Sequence, residues 1–293
     1  MTADVTHEEN GQQLAVECRP RSRWPKVSSR MIIGISLIGV LGACAILAPW
    51  IVQNPLSIAP AERLRPPSHL HFLGTDNLGR DVLARTIYAA RVSIIVGLGT
   101  AGLAVGGGLV LGLACGLGRL VDEVIMRFVD LVSVFPAFLL AVALLTLMAP
   151  GTPTVIVVIA IADLPRASRL VRSVLLSVRE LPYIDAAISS GTHPMWIILR
   201  HIAPATWPSL IVLAAYLCAS AILAEAGLSF LGAGTPPETP SWGNMIAGGA
   251  RFFIVAPWTT LAPGAALALA TLGVMLVADA LRDRFDPRRD YPQ

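Results

Sequence analysis

Charge is scarce in this chain. Of its 293 residues only 14% are Asp, Glu, Lys or Arg, against roughly 25% in an average soluble domain, which excludes an ordinary water-covered globule. Lysine is reduced to a single residue, Lys26, so there is no glycine-rich phosphate loop ending in Lys-Ser/Thr. Any ATP hydrolysis must then come from a separate subunit. The four cysteines, at 18, 44, 115 and 218, show no paired spacing, which excludes a disulfide framework, and three of them lie in apolar runs as small hydrophobes. The five histidines, at 7, 69, 71, 193 and 201, lack the spacing of metal ligands. No catalytic constellation and no metal site is assigned, although His69 and His71 are the two that could touch a metal solute.

What the chain has instead is hydrocarbon. It is 55% hydrophobic, with charge-free runs over Met31–Val52, Val92–Gly118, Leu131–Ala162, Pro208–Ala224 and Leu261–Ala278. About 20 apolar residues cross a bilayer as a helix, and continuous apolar runs favour helices over the alternating strands of a barrel. Pro150-Gly151-Thr152-Pro153 is a turn signal that divides the longest run. The reading is an all-α membrane protein with six transmembrane helices, near 31–53, 92–117, 129–149, 153–172, 206–227 and 259–279. The fourth is the most polar. Beyond it Leu164, Val171, Val174, Leu175 and Val178 fall on one side, with Arg166, Arg169, Arg172 and Arg179 opposite. That predicts a helix leaving the bilayer along the side of the bundle. Leu41-Gly42-Ala43-Cys44 resembles a lipoprotein cleavage box, but the apolar run continues past it, so a retained first span is expected.

Orientation follows from the cations. With the N-terminus inside, 16 of the 22 Lys and Arg residues fall on inner segments, including Arg119, Arg127, Arg166, Arg169, Arg172, Arg179 and Arg200. The positive-inside rule therefore places both termini and residues 183–204 in the cytoplasm. The net charge of +3 is that bias in aggregate, and no further basic patch exists for nucleic acid.

Two segments break the apolar pattern in informative ways. The second span carries Gly102/Gly106 and Gly108/Gly112/Gly116 at four-residue spacing, which lets helix backbones approach closely in lipid. Between the fourth and fifth spans the chain reads YIDAAISSGTHPMWIILRHIAP. Pro182 suits a first helical position, Asp185 then lies in the first turn, and Gly191 and Pro194 end that short helix. Met195, Ile198, Leu199 and Ile202 recur at helical spacing before Pro204. A helix–Gly–helix elbow in the cytosol is a docking surface, with an interfacial helix on lipid headgroups as the alternative. On the opposite side Gly74-Thr75-Asp76 and Gly79-Arg80-Asp81 are turn and capping chemistry, read as a loop pinned by an Asp–Arg pair, with substrate contact as the alternative. Glu225, near the outer end of the fifth span, is a candidate for the translocation path or its gate. The equal alternative is an interface residue bonded to a neighbouring helix.

Asp185-Ala186-Ala187, Gly191 and Ile202-Ala203-Pro204 resemble the EAA loop of ABC importer permeases, with Asp185 where that family usually has Glu and Ala203 where it often has Leu. Three further stretches narrow the resemblance to the dipeptide/oligopeptide/nickel permeases. They are His71 to Asp81 (HFLGTDNLGRD), Ala224 to Gly232 (AEAGLSFLG) and Pro240 to Met245 (PSWGNM), with Leu281-Arg282-Asp283 through Asp286-Pro287-Arg288 also fitting. The match spans about 31 to 289 and looks most like the C-type subunit of the dipeptide permease.

The resemblance implies a type I ABC importer transmembrane fold: a tail over 1–30, a first helix and periplasmic loop over 31–90, a five-helix transport domain over 91–280 with a coupling loop at 182–204, and a tail over 281–293. It implies that Asp185, Ala186, Ala187, Gly191, Ile202 and Pro204 dock on the ATPase, the coupling helix being 183–193. Gly74, Thr75, Asp76, Gly79, Arg80 and Asp81 form the periplasmic family motif. The implied partners are a second permease in a heterodimer, two ABC ATPases that hold ATP and Mg, a periplasmic or lipid-anchored solute-binding protein, and inner-membrane lipid. No cofactor is implied for this chain. Di- or oligopeptides are the expected solutes, with nickel or glutathione importers of the same family as alternatives. Two rivals of other classes are an ion-coupled secondary transporter, which would call for ionisable residues in mid-span or broken helices in paired halves, and a structural or receptor-like membrane protein.

Overall fold

The computed structural model describes residues 29–52 and 54–285. The N-terminal tail, the Asp286-Pro287-Arg288 stretch and the final residues lie outside the described residues, and so does their expected cytoplasmic placement. Among the described residues the regular structure is helical: α1 (Ser29–Ile51), α2 (Val82–Ala114), α3 (Arg119–Ser133), α4 (Ala137–Leu147), α5 (Thr152–Arg179), α6 (Pro182–Ser189), α7 (Pro194–Ile197), α8 (Ala203–Phe230), α9 (Trp242–Ala250) and α10 (Trp258–Phe285).

Among the described residues, four helical stretches are long and apolar enough to cross a membrane: 29–50, 82–117, 194–230 and 258–285. The last three contain the second, fifth and sixth expected spans, and the first overlaps the expected 31–53 over residues 31–50. The third expected span differs. α3 and α4 meet at an 87° bend, and α4 has only 11 residues, about 17 Å of helix against a hydrocarbon core of about 30 Å. Pro136 sits at the break; it has no N–H to continue α3 and biases Phe135 away from helical backbone. Over the fourth span α5 is one continuous helix, but Asp163, Arg166, Arg169 and Arg172 make it more polar than the four above. The turn expected at Pro150-Gly151 is there, with α5 beginning at Thr152.

α2 is the central helix, packing most extensively on α5 and also on α1 and α8. Its glycines divide by face. A Cβ on Gly108 would lie 2.3 Å from that of Ala167, and one on Gly112 would lie 2.5 Å from that of Val171. By contrast Gly102 and Gly106 have nothing within 4 Å. Only the 108/112/116 set is a packing stripe, pressing α2 onto the apolar side of α5, where Val171, Leu175 and Val178 are buried. The arginine side of α5 faces α3: Arg172 holds Asp122 through two bonds of 2.5 and 2.6 Å, and Arg169 reaches Asp130 at 3.1 Å.

α1 joins α10 and α2, and one contact explains a charge near the membrane. Pro49 lies inside α1 and cannot donate to the carbonyl of Ala45. Arg91 of α2 supplies the missing donors, with Nε to the Ala45 oxygen at 2.5 Å and Nη2 to that of Ile46 at 3.1 Å.

Candidate functional site

The elbow at 182–204 is built as two short helices around a left-handed residue. Pro182 opens α6, and Asp185 lies in its first turn. Gly191 has φ +75°, and its N–H bonds the Ile188 carbonyl at 2.9 Å while the Thr192 N–H bonds that of Ala187 at 3.2 Å. This paired closure is the Schellman motif, whose left-handed residue is usually glycine. The His193 Nδ1 then accepts from the Met195 N–H at 3.3 Å, capping α7. A five-residue π-helical stretch, Ile198–Ile202, carries the chain into α8, with Pro204 near its start, inside a helix that runs continuously from Pro194.

The elbow has a dry side and a wet side. Ile184, Ile197, Ile198 and Ile202 are buried against Leu175 and Val178 of α5, with Ala187 half-buried beside them. Tyr183, Ile188, Met195, Trp196 and Leu199 are exposed, Trp196 at 62%. The spaced set expected to share one side therefore splits, Ile198 and Ile202 facing inward and Met195 and Leu199 outward. Heptad-like spacing could not show this, because the π-helical stretch changes the angle per residue. Asp185 and Ala186 are exposed on the same outward side.

The loop over residues 59–81 is a compact knot. Asp76 accepts at Oδ2 from Arg80 Nε at 2.7 Å and at Oδ1 from the Leu78 and Arg80 N–H groups at 2.8 and 2.9 Å. Asp81 caps α2 by accepting from the Ala84 N–H at 2.8 Å. Thr75 accepts from the Arg65 N–H at 2.9 Å and donates to the Glu62 carbonyl, while Gly74 and Gly79 take φ of +71° and +75°. Trp258 Nε1 donates to the Thr75 carbonyl at 3.2 Å, so α10 holds this loop down.

His71 closes the knot. Its Nδ1 lies 2.8 Å from Asp81 Oδ2 and its Nε2 lies 3.1 Å from Glu62 Oε2. With both ring nitrogens on carboxylates, His71 has no lone pair turned toward a metal solute, and the described residues bring no three or more His, Cys, Asp or Glu side chains together in a metal-holding arrangement. Hydrogen bonding to Asp81, the larger effect, and to Glu62 raises the imidazole above its usual range against the opposing cost of burial. A raised pKa means the ring binds its proton more tightly folded than unfolded. The contribution is therefore complete below about pH 6.5 and is lost as pH climbs through the folded value. Thermal unfolding of the intact chain should show stability falling over that window, and His71→Gln should flatten the profile there. An unchanged pH profile in the variant would deny the link.

Glu225 is 0% exposed. Its Oε1 accepts from Ser229 Oγ at 2.6 Å and from Thr235 Oγ1 at 3.3 Å, and the Ser241 hydroxyl also faces the carboxyl. Thr235 is in turn held through its carbonyl by Asn244 Nδ2 at 2.9 Å, and the buried Trp242 donates from Nε1 to the Thr86 carbonyl at 3.0 Å. The stretches 224–232 and 240–245, separate in sequence, thus form one polar plug joining α8, α9 and α2. The i, i+4 pairing of Glu225 with Ser229 was readable in the sequence; Thr235 and Asn244 were not, because only the turn after α8 brings them back. Glu62, His71 and Arg85 likewise had no sequence signal of acting together.

Residues 108–291 match the family model described as binding-protein-dependent transport system inner membrane component. The chain is 50% identical over 258 residues to the "Probable peptide ABC transporter permease protein y4tQ" of Sinorhizobium fredii, covering 88% of this chain and 89% of that one. It is 38% identical over 269 residues to the dipeptide transport system permease protein DppC of Alkalihalophilus pseudofirmus, covering 90% and 87%.

Proposed function

Because this chain belongs to the binding-protein-dependent transport system inner membrane component family, as a permease subunit of an ABC importer, we propose that it carries di- or oligopeptides and couples to ATP through residues 182–204. The peptide assignment rests on the names of relatives that align along nearly the whole chain. The coupling assignment rests on one observation: an apolar surface of Tyr183, Ile188, Met195, Trp196 and Leu199 stands exposed on a strut whose other side is packed into α5. Exposed aromatic and Met side chains on a rigid support are what a protein interface uses. A push on the elbow reaches Leu175 and, through the α2–α5 stripe, the centre of the bundle.

The assembly has a second permease as heterodimeric partner, two ATPases holding ATP and Mg, and an external solute-binding protein. The elbow and both termini are cytoplasmic in the inner membrane, as the distribution of arginines requires. ATPase closure swings the helices between inward-open and outward-open arrangements, a rigid-body switch biased by ligand. Full burial of Glu225 favours a role in fixing the outer end of α8 to α9 over direct contact with solute.

The test is Gly191→Val. A Cβ there meets nothing within 4 Å, so the only penalty is a β-branched residue at positive φ, about 1–3 kcal/mol. Expressed at the docking surface, that is about a five- to hundred-fold weaker hold on the ATPases, with the membrane bundle intact. Gly191→Asn, which tolerates left-handed backbone, should restore most of it. Full co-purification of the ATPases with the Val variant, with hydrolysis still stimulated by loaded binding protein, would remove the elbow from coupling.

A further inference from the structure

Arg85 lies in the first turn of α2 and is 3% exposed. Among the described residues its one ion pair is with Asp76, Nε lying 3.9 Å from Oδ2, too long for a hydrogen bond. The same Asp76 oxygen already accepts from Arg80 Nε at 2.7 Å. Arg85 Nη1 is buried with no hydrogen-bond partner among the described residues. Two guanidinium groups therefore share one carboxylate, and the more deeply buried of the two has the poorer claim on it.

Most buried cations escape this position by losing a proton. Arginine does not. A guanidinium out of water with no close counter-charge is costly, and the other carboxylates of this loop are committed: Asp81 to His71 and the cap of α2, Glu62 to His71 and Arg65. Beside Arg85 lies a small cavity of about 30 Å³, lined among others by Asp76, Asn77, Arg80, Asn244 and Thr259. A hole of that size admits about one or two water-sized groups. Its lining is polar where it meets the outer loop, and its charged groups sum to one excess positive charge.

We propose that this cavity binds one small monovalent anion, a halide or a compact carboxylate, held by Arg85 between the outer loop and α9. The anion supplies the acceptor that Nη1 lacks and balances the Arg80–Asp76–Arg85 cluster. The site joins elements from three parts of the chain: the loop at 76–80, the start of α2, and α9 with the start of α10. Filling it locks the outer loop onto α9, next to the Glu225 plug, and it does so whichever solute the importer carries.

The experiment is thermal unfolding of the full chain, purified in detergent, in gluconate buffer titrated with chloride, bromide, formate or sulfate at constant ionic strength. Chloride and bromide should raise the midpoint by about 5–10 °C at a hundred-fold excess over the dissociation constant. Formate separates the two sources: a shift equal to that of chloride marks a carboxylate site, and none marks a halide site. Sulfate, doubly charged and too large, should do nothing. Arg85→Met, which keeps the length and removes the charge, should abolish the halide response. If that variant does not fold, bromide-derivatised crystals of the wild-type chain decide, with an anomalous peak expected within hydrogen-bonding distance of Arg85 Nη1. The proposal is overturned by water alone in the cavity, by equal responses to sulfate and chloride, or by an undiminished halide response in Arg85→Met.

Discussion

Gly79→Ala is expected to destabilise the loop over residues 59–81 by about 2–6 kcal/mol, from left-handed strain and overpacking together, and to lower solute uptake with it. The argument is geometric. A Cβ at position 79 would sit 1.9 Å from the Ala59 carbonyl oxygen and 2.6 Å from its carbon, and these are backbone atoms that cannot rotate aside. Ala59 cannot retreat freely, because its own N–H bonds the Leu78 carbonyl at 3.2 Å. The φ of +75° adds a second penalty. Gly39→Ala in α1 is the control, since a Cβ there meets nothing within 4 Å. Limited proteolysis of the protein in detergent should cut Gly79→Ala between 59 and 81 far faster than wild type, while ATPase co-purification is retained. Equal resistance in Gly79→Ala and wild type would mean that the loop relaxes at no cost.

Gly108→Val should be more damaging still to the bundle. The new Cβ would lie 2.3 Å from the Ala167 Cβ, 2.8 Å from its carbonyl carbon and 2.9 Å from the Ser168 nitrogen. α2 and α5 would have to part along the largest helix–helix contact in the molecule. Lipid offers no hydrophobic drive to hold separated helices together; close packing does that work. Overpacking of this kind costs about 1–3 kcal/mol where neighbours can yield, and more where they are backbone. The consequence runs further, because α5 also holds α3 through Arg172 and supports the elbow through Leu175. Folded yield in detergent and ATP-driven uptake should both fall steeply. Gly102→Val, on the open side of the same helix, should behave nearly as wild type. If the two valine variants give the same yield and uptake, the stripe is not what joins α2 to α5.

What the sequence by itself determined is whatever rests on local chemistry and on transfer into hydrocarbon. Long charge-free runs identify the spanning helices at α1, α2, α8 and α10, because a span needs only length and apolarity. Asp81 before α2, Pro182 before α6 and the positive φ of Gly191 were legible because capping and glycine backbone act within a few residues. The EAA-like and GTDxxGRD-like stretches identified the permease family for a similar reason, being contiguous in the chain. Only the tertiary structure decided the rest. Gly108 and Gly102 look alike in sequence, and what separates them is whether Ala167 lies opposite. The break at Pro136 was signalled by the proline itself, but the charge-free run around it does not say that the chain would bend there by 87°. His71 between Glu62 and Asp81, Arg91 on the carbonyl freed by Pro49, and Arg85 without an acceptor are meetings of residues far apart in the chain or on different elements. Each depends on three-dimensional placement to within an ångström, and no spacing rule along one strand of sequence encodes that.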